Sequence, residues 1–465
     1  MKIKFGTDGW RGIIAQDFTV ENVSRVAQAT AVWLKKNNSN PVAVVGHDCR
    51  FAGEMFAETT AAILVANGIK VFLAKDFVST PMISLGTVHY KADAGIIITA
   101  SHNPPSYNGF KIKASYGGPA TPAMIEEVET LIPDTFDGNM ADFSKAVADK
   151  KIEYVNLEDL YCEHIEKNFD IQLIKDKKLE LAYDAMYGAG QNVIRRLFPE
   201  ATFLHCDYNP GFMGQAPEPI HKNLQEFSDM IRLSEEIDCG LVTDGDADRI
   251  GLYNKKGEFV DSHHIILLLV HYLHKYKGLS GKVITTFSAT SKVAKLCEAY
   301  SLPVQITKIG FKYICEYMIT ENVLVGGEES GGIAITGHIP ERDGIWIGIT
   351  LWEFMAKTGK SLDELIQEVY EVTGTFSMER SDLHIKEEKK QEIISNCKKG
   401  MYKAFDDLIV ESTEDLDGYK FHLGNGEWVM IRPSGTEPVL RTYAEASTKK
   451  RAEEILQKTA NTILH

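Results

Sequence analysis

The 465-residue chain has no apolar run long enough to span a bilayer. Its most apolar stretch, Ile265 to Val270, is short and flanked by His263, His264 and His271. Nor does Met1 to Gly12 hold the apolar core of a signal peptide, since it carries charges and glycines. These two absences predict a cytoplasmic protein with no membrane partner. Positive charge is also in deficit: 50 Lys and Arg stand against 65 Asp and Glu, a net charge of −15. Bulk affinity for nucleic acid is thereby excluded, and any phosphate ligand must be met by a local cluster of cations working against the overall field. The seven cysteines (Cys49, Cys162, Cys206, Cys239, Cys297, Cys315 and Cys397) are odd in number, scattered, and form no C-x-x-C pair. A disulfide or zinc framework is excluded, leaving reduced thiols that act as small buried hydrophobes. No repeat of solenoid period and no low-complexity tract is present. What remains is the composition of a globular protein, 44% hydrophobic and 25% charged. The length exceeds what one core organises and predicts roughly three or four domains.

Strand and helix patterns alternate along most of the chain, which predicts α/β domains. The apolar run Ala94 to Ile98 reads as a buried strand. Thr99, Ala100, Ser101, His102, Asn103, Pro104 and Pro105 follow it, and the two prolines prevent immediate entry into a helix. Ser101 is therefore predicted at the carboxyl end of a strand, the edge where open α/β sheets bind ligands. With His102 and Lys111 nearby it is a candidate for covalent chemistry.

Four other loops carry chemistry. Phe5 to Gly12 places Arg11, a planar five-donor fork suited to phosphate, among glycines. Asp244, Asp246 and Asp248 alternate in a loop directly after the apolar strand Gly240 to Thr243; three carboxylates so close repel unless a cation or bound water compensates, and hard oxygen ligands suit Mg²⁺. Arg249, at the end of that loop, is predicted to turn toward a phosphate. Gly326 to Gly332 exposes Glu328, Glu329 and Ser330 at another strand end, where carboxylates can accept hydrogen bonds from vicinal sugar hydroxyls. Near the carboxyl end, Arg432, Ser434, Gly435 and Thr436 form a donor nest for an anionic phosphate. Composition shifts predict four domains: 1–145, 146–255, 256–372 and an α+β tail at 373–465.

These loops, in this order, resemble those of the α-D-phosphohexomutases, the family of phosphoglucomutases, phosphomannomutases and phosphoglucosamine mutases. The resemblance spans the whole chain. It implies three similar α/β domains and a smaller carboxyl-terminal α+β domain around one cleft. It also implies a phosphoryl group carried on Ser101, with Mg²⁺ bound by Ser101, Asp244, Asp246 and Asp248. Glu328 and Ser330 would hold the sugar, and Arg432, Ser434, Gly435 and Thr436 the phosphate that is not transferred. The implied reaction interconverts hexose 1-phosphate and hexose 6-phosphate through a hexose 1,6-bisphosphate, with Arg11, Arg249 and Lys111 stabilising charge and either Lys111 or His102 moving the proton. The implied partners are small hexose phosphates, with the chain a monomer or small homo-oligomer. Glu328-Glu329-Ser330 is similar to the glucomutase pattern, which favours glucose phosphate ahead of mannose or glucosamine phosphate. Phe311, following Gly310, matches neither of the family's familiar specificity residues. Two rivals are a haloacid-dehalogenase-like phosphatase with Asp244 as nucleophile, and a sugar-phosphate sensor without catalysis.

Overall fold

The computed structural model describes residues 2–6, 8–433 and 439–464. It divides into two compact units, Met1–Ile265 with Gly310–Leu365, and Ile266–Ile309 with Ile366–His465.

The first unit opens with a six-stranded mixed sheet. Its strands are β1 (Trp10–Ile13), β2 (Val42–His47), β3 (Lys70–Ala74), β4 (Ala94–Ile98), β5 (Tyr107–Ala114) and β6 (Ile152–Val155), in the spatial order β1-β5-β4-β2-β3-β6. β4, β2, β3 and β6 run parallel, and β5 and β1 add an antiparallel edge. β4 is buried along its whole length, so its apolar sequence needs no alternation. β6 extends this sheet past residue 145, because the short helix Phe143–Ala148 provides a parallel crossover from within the polar stretch.

A second sheet contains β7 (Leu181–Asp184), β8 (Thr202–Leu204), β9 (Cys239–Thr243), β10 (Ile250–Asn254) and β11 (Phe259–Val260), ordered β11-β10-β9-β7-β8. β9 and β10 are antiparallel neighbours, Thr243 opposite Ile250, so the acidic loop between them is a hairpin connection. Val323–Gly327 pairs with Ile333–Ile335 as another hairpin, with Glu328 to Gly332 at its tip. The helix Gly344–Thr358 follows, its first turn capped by Asp343, which accepts the Trp346 N–H at 3.0 Å.

In the second unit, Lys282–Thr286 pairs in parallel with Val304–Thr307. A five-stranded antiparallel sheet runs, in spatial order, Ser377–His384, Val439–Ala446, Glu427–Pro433, Tyr419–Gly424 and Ser412–Glu414. The charged segment after residue 386 is helical, Glu387–Lys398, burying Ile393 and Cys397 on one side. Mixed α/β sheets with a carboxyl-terminal α+β domain agree with the expected fold class. The seven cysteines are buried and unpaired. Among the described residues no helix is long and apolar enough to cross a membrane.

Candidate active site

β4 ends at Ile98 and delivers Ser101 into a buried loop with φ of +52°, a left-handed conformation that a side chain disfavours. Its N–H donates to Thr99 Oγ1 at 2.9 Å, and Thr99 Oγ1 in turn donates to Asp48 Oδ2 at 2.5 Å. Its Oγ donates to Asp244 Oδ2 at 2.7 Å, and His102 Nδ1 lies 3.4 Å away. Ser101 and the first aspartate of the acidic loop, 143 residues apart, are thus in direct contact.

The acidic loop is a tight turn, with Ala247 at φ +56° and the Asp248 and Arg249 N–H groups donating to Asp244 Oδ1 at 3.0 and 3.1 Å. A Cβ on Gly245 would lie 2.4 Å from the Ser101 carbonyl oxygen, so only glycine permits the two loops to touch. Asp244, Asp246 and Asp248 are each fully buried and present carboxylate oxygens within 4.8 Å of one another. Asp246 Oδ2 accepts from Thr80 at 2.5 Å and Lys111 at 2.7 Å, while Asp246 Oδ1 and Asp248 Oδ1 meet no donor. Burial and the charges of Asp246 and Asp248 push the Asp244 carboxyl well above its usual range. Two unpartnered oxygens and a mutually repelling carboxylate set fit a hard divalent cation such as Mg²⁺.

The cations around this cage divide by protonation behaviour. Burial alone would depress Lys111, but Asp246, Asp248 and Asp8 hold it above its usual range as an ammonium. His102 is pushed the other way, by burial and then by Arg249, Arg11 and Lys111, and stays a neutral imidazole. Arg11 NH1 donates to Asn103 Oδ1 at 2.5 Å, which anchors it beside the Ser101 loop. Arg249 is half-buried with its Nε unpartnered, and its backbone forms a bridge with Gly332 that brings the acidic loop to the Glu328 hairpin.

Several residues with no motif of their own complete this network. Asp8 accepts from Lys111 at 2.8 Å and from Arg342, which also reaches Asp248 Oδ2 at 2.7 Å. Lys113, fully buried, pairs with Glu341 at 2.7 Å. Arg342 lies over the Phe311 ring, 5.4 Å from its centroid, and 3.9 Å from Glu328 Oε2. Phe311 is 2% exposed and supports Arg342 from beneath. A Cβ on Gly332 would meet Arg342 Cδ at 2.4 Å, so that glycine clears the arginine's path. Glu328 is buried and its carboxyl is pushed up to about 7 by desolvation, against the pull of Arg342; Ser330 is half-buried on the same turn. The available signal was the alternation of Lys111 and Lys113 along an otherwise apolar strand, and the Glu341-Arg342-Asp343 run before a helix.

In the second unit Arg432 donates from Nε to Asp417 Oδ1 at 3.2 Å. Ser434, Gly435 and Thr436, expected to join it, lie outside the described residues.

Comparison with known proteins covers most of the chain. Family models for phosphoglucomutase/phosphomannomutase match as alpha/beta/alpha domain I at residues 2–137, domain II at 159–257, domain III at 261–373 and the C-terminal domain at 385–462. A phosphoglucomutase/phosphomannomutase of Thermococcus kodakarensis is 29% identical, over 97% of this chain and 96% of its own. A phosphoglucosamine mutase of Limosilactobacillus reuteri is 31% identical, over 98% and 97% respectively. Among solved structures, a Thermus thermophilus protein assigned as a phosphomannomutase superposes with a TM-score of 0.89 at 31% identity, covering 100% of both chains.

Proposed function

The chain belongs to the phosphoglucomutase/phosphomannomutase family of isomerases, and from that premise we propose that it interconverts hexose 1-phosphate and hexose 6-phosphate through a phosphoryl group carried on Ser101. The observation that carries this reading is the 2.7 Å contact between Ser101 Oγ and Asp244, inside a cage of three carboxylates ringed by cations.

In the first half-reaction the bond from phosphorus to Ser101 Oγ breaks and a bond to a sugar hydroxyl oxygen forms, giving a hexose 1,6-bisphosphate. In the second, the bond from phosphorus to the sugar's other ester oxygen breaks, that oxygen regains the proton, and the phosphoryl group bonds again to Ser101 Oγ. Negative charge spreads over the transferring oxygens, and Arg11, Arg249 and Lys111 are the side chains that meet it. Asp244, Asp246 and Asp248 would hold Mg²⁺, which supplies Lewis-acid charge stabilisation at the phosphoryl oxygens. His102, 3.4 Å from Ser101 Oγ and kept neutral by burial and the surrounding cations, or Lys111 moves the hydroxyl proton. Glu328 and Ser330 accept and orient sugar hydroxyls, and Arg432 with Ser434, Gly435 and Thr436 holds the phosphate that is not reacting.

For the sugar, the relatives shift the balance away from the glucose preference read from Glu328-Glu329-Ser330. They include a phosphoglucosamine mutase and a phosphoglucomutase/phosphomannomutase, so glucosamine or mannose phosphate accounts for them better than glucose alone. Phe311 is covered by Arg342, so the identity of residue 311 acts on the sugar through that arginine.

The test is an assay of the purified protein with glucosamine, mannose or glucose 1-phosphate, Mg²⁺ and a trace of the matching 1,6-bisphosphate. Formation of the 6-phosphate is the expected result. Release of inorganic phosphate would indicate the phosphatase instead, and no turnover of any of them a sensor.

A further inference from the structure

The loop from Ser101 to Tyr107 poses a hydrogen-bonding problem. From Ser101 to Ser106 its carbonyls belong to neither helix nor sheet, and the buried Ser101 carbonyl above all needs a donor. Two of its peptide bonds, those leading into Pro104 and Pro105, carry no N–H at all. The Tyr107 and Ile14 N–H groups reach the carbonyls of Pro104 and Ser106, and Arg50, on the loop after β2 and 1% exposed, supplies four further donations. Its NH1 donates to the carbonyls of Pro104 (2.9 Å) and Tyr107 (3.0 Å), and its NH2 to those of Ser101 (2.6 Å) and Asn103 (2.7 Å). Asp48 pairs with its Nε at 3.3 Å, and the Phe212 ring covers the guanidinium 5.0 Å away.

The backbone of Ser101 is therefore held from both sides. Its carbonyl is fixed by Arg50 and its N–H by Thr99, and both Arg50 and Thr99 are tied to Asp48. The grip matters because a non-glycine residue at φ +52° is strained and persists only where its surroundings enforce it.

We infer that Arg50 is a positioning residue for phosphoryl transfer: it holds Ser101 in the left-handed conformation that aims Oγ at Asp244. Its terminal nitrogens are occupied by four carbonyls, so it acts through the serine's backbone and does not touch the phosphoryl group. This inference rests on the reading of Ser101 as the phosphoryl carrier.

Arg50→Lys, which offers fewer donors than there are carbonyls, is expected to lower kcat about a hundredfold, the scale of a 1 Å misplacement. KM for the hexose phosphate stays within about twofold, since nothing that would bind the sugar has moved. Arg50→Ala is expected to regain part of its kcat on addition of guanidinium ion and none with an alkylammonium ion of similar size. Wild-type kcat in Arg50→Lys, or a loss confined to KM, overturns the inference. Should the Arg50 variants not fold, Phe212→Leu keeps every hydrogen bond and removes only the covering ring. Faster amide exchange over residues 102–108 with a lower kcat and unchanged KM then supports the inference, and unchanged exchange and kcat refute it. Ser101→Ala, run in parallel, separates the two readings. If it turns over, the Ser101 carrier is wrong; if it is dead while Arg50→Lys is fully active, only the role of Arg50 falls.

Discussion

Replacing Lys111 by methionine keeps the reach of the side chain and deletes its charge, which isolates the electrostatics of the carboxylate cage. The ammonium serves three oxygens, Asp246 Oδ2 at 2.7 Å, Asp8 Oδ2 at 2.8 Å and Asp248 Oδ2 at 3.1 Å. Arg342 still faces Asp8 and Asp248 in the variant, so Asp246 is the carboxylate left with only the Thr80 hydroxyl. Stranding one buried charge in this way costs about 3–5 kcal/mol. A chain of several domains does not unfold in one step, so the loss is read in chelator as the onset of thermal unfolding and as amide exchange over β5 and the acidic loop. Mg²⁺ should then recover more stability in the variant than in the wild type, because the cage has gained net negative charge and no longer repels the ion with an ammonium. Each tenfold gain in affinity appears as about 1.4 kcal/mol at saturating metal. Activity does not return with the metal, since a cation facing the transferring oxygens is worth about 10²–10³ in kcat. Equal stability in chelator, or equal Mg²⁺ shifts for the two proteins, would refute the assignment of the cage as a metal site compensated by Lys111.

Ser101→Ala should abolish turnover and phosphoryl labelling of the protein, while Mg²⁺ still raises its thermal onset. Arg432→Ala should raise KM for the hexose phosphate at least about tenfold, the scale of a lost charge-assisted contact, with a smaller change in kcat in steady-state assays. Glu328, with its carboxyl near 7, is neutral below that pH and a hydroxyl acceptor above it, so wild-type KM should fall as pH rises through about 7. Glu328→Gln should lose that limb and keep the one due to the substrate's own phosphate; a variant profile matching the wild type would remove Glu328 from sugar binding.

Much of the site was legible because the Ser101, Asp244 and Glu328 loops each directly follow an apolar strand, a signal that needs no tertiary information. Ser101 after Ile98 and Asp244 after Thr243 are of this kind, and they meet across a sequence separation of 143. The balancing charges were legible only in part: Lys111, Arg11 and Arg249 stand in or beside the motif loops, whereas Lys113, Glu341 and Arg342 lie outside them. Lys111 and Lys113 alternate with Phe110 and Ile112 as on a half-exposed strand, yet both lysines are buried because Asp8 and Glu341 arrive from distant segments. Arg50 was passed over for the same reason, since its acceptors are main-chain carbonyls more than fifty residues away that no side-chain pattern reports. β6 lay beyond the expected boundary because pairing with β3 outweighs the polar composition around it.

Gly245 against the Ser101 carbonyl has a further consequence. Main chain rests on main chain there, with no room for a side-chain atom between Gly245 and the Ser101 carbonyl. Repacking elsewhere cannot tune that contact, but a single methyl group at residue 245 would wedge it open. The protein's tolerance for alanine there is thus a direct gauge of how little slack lies between the hydroxyl and its acidic neighbours.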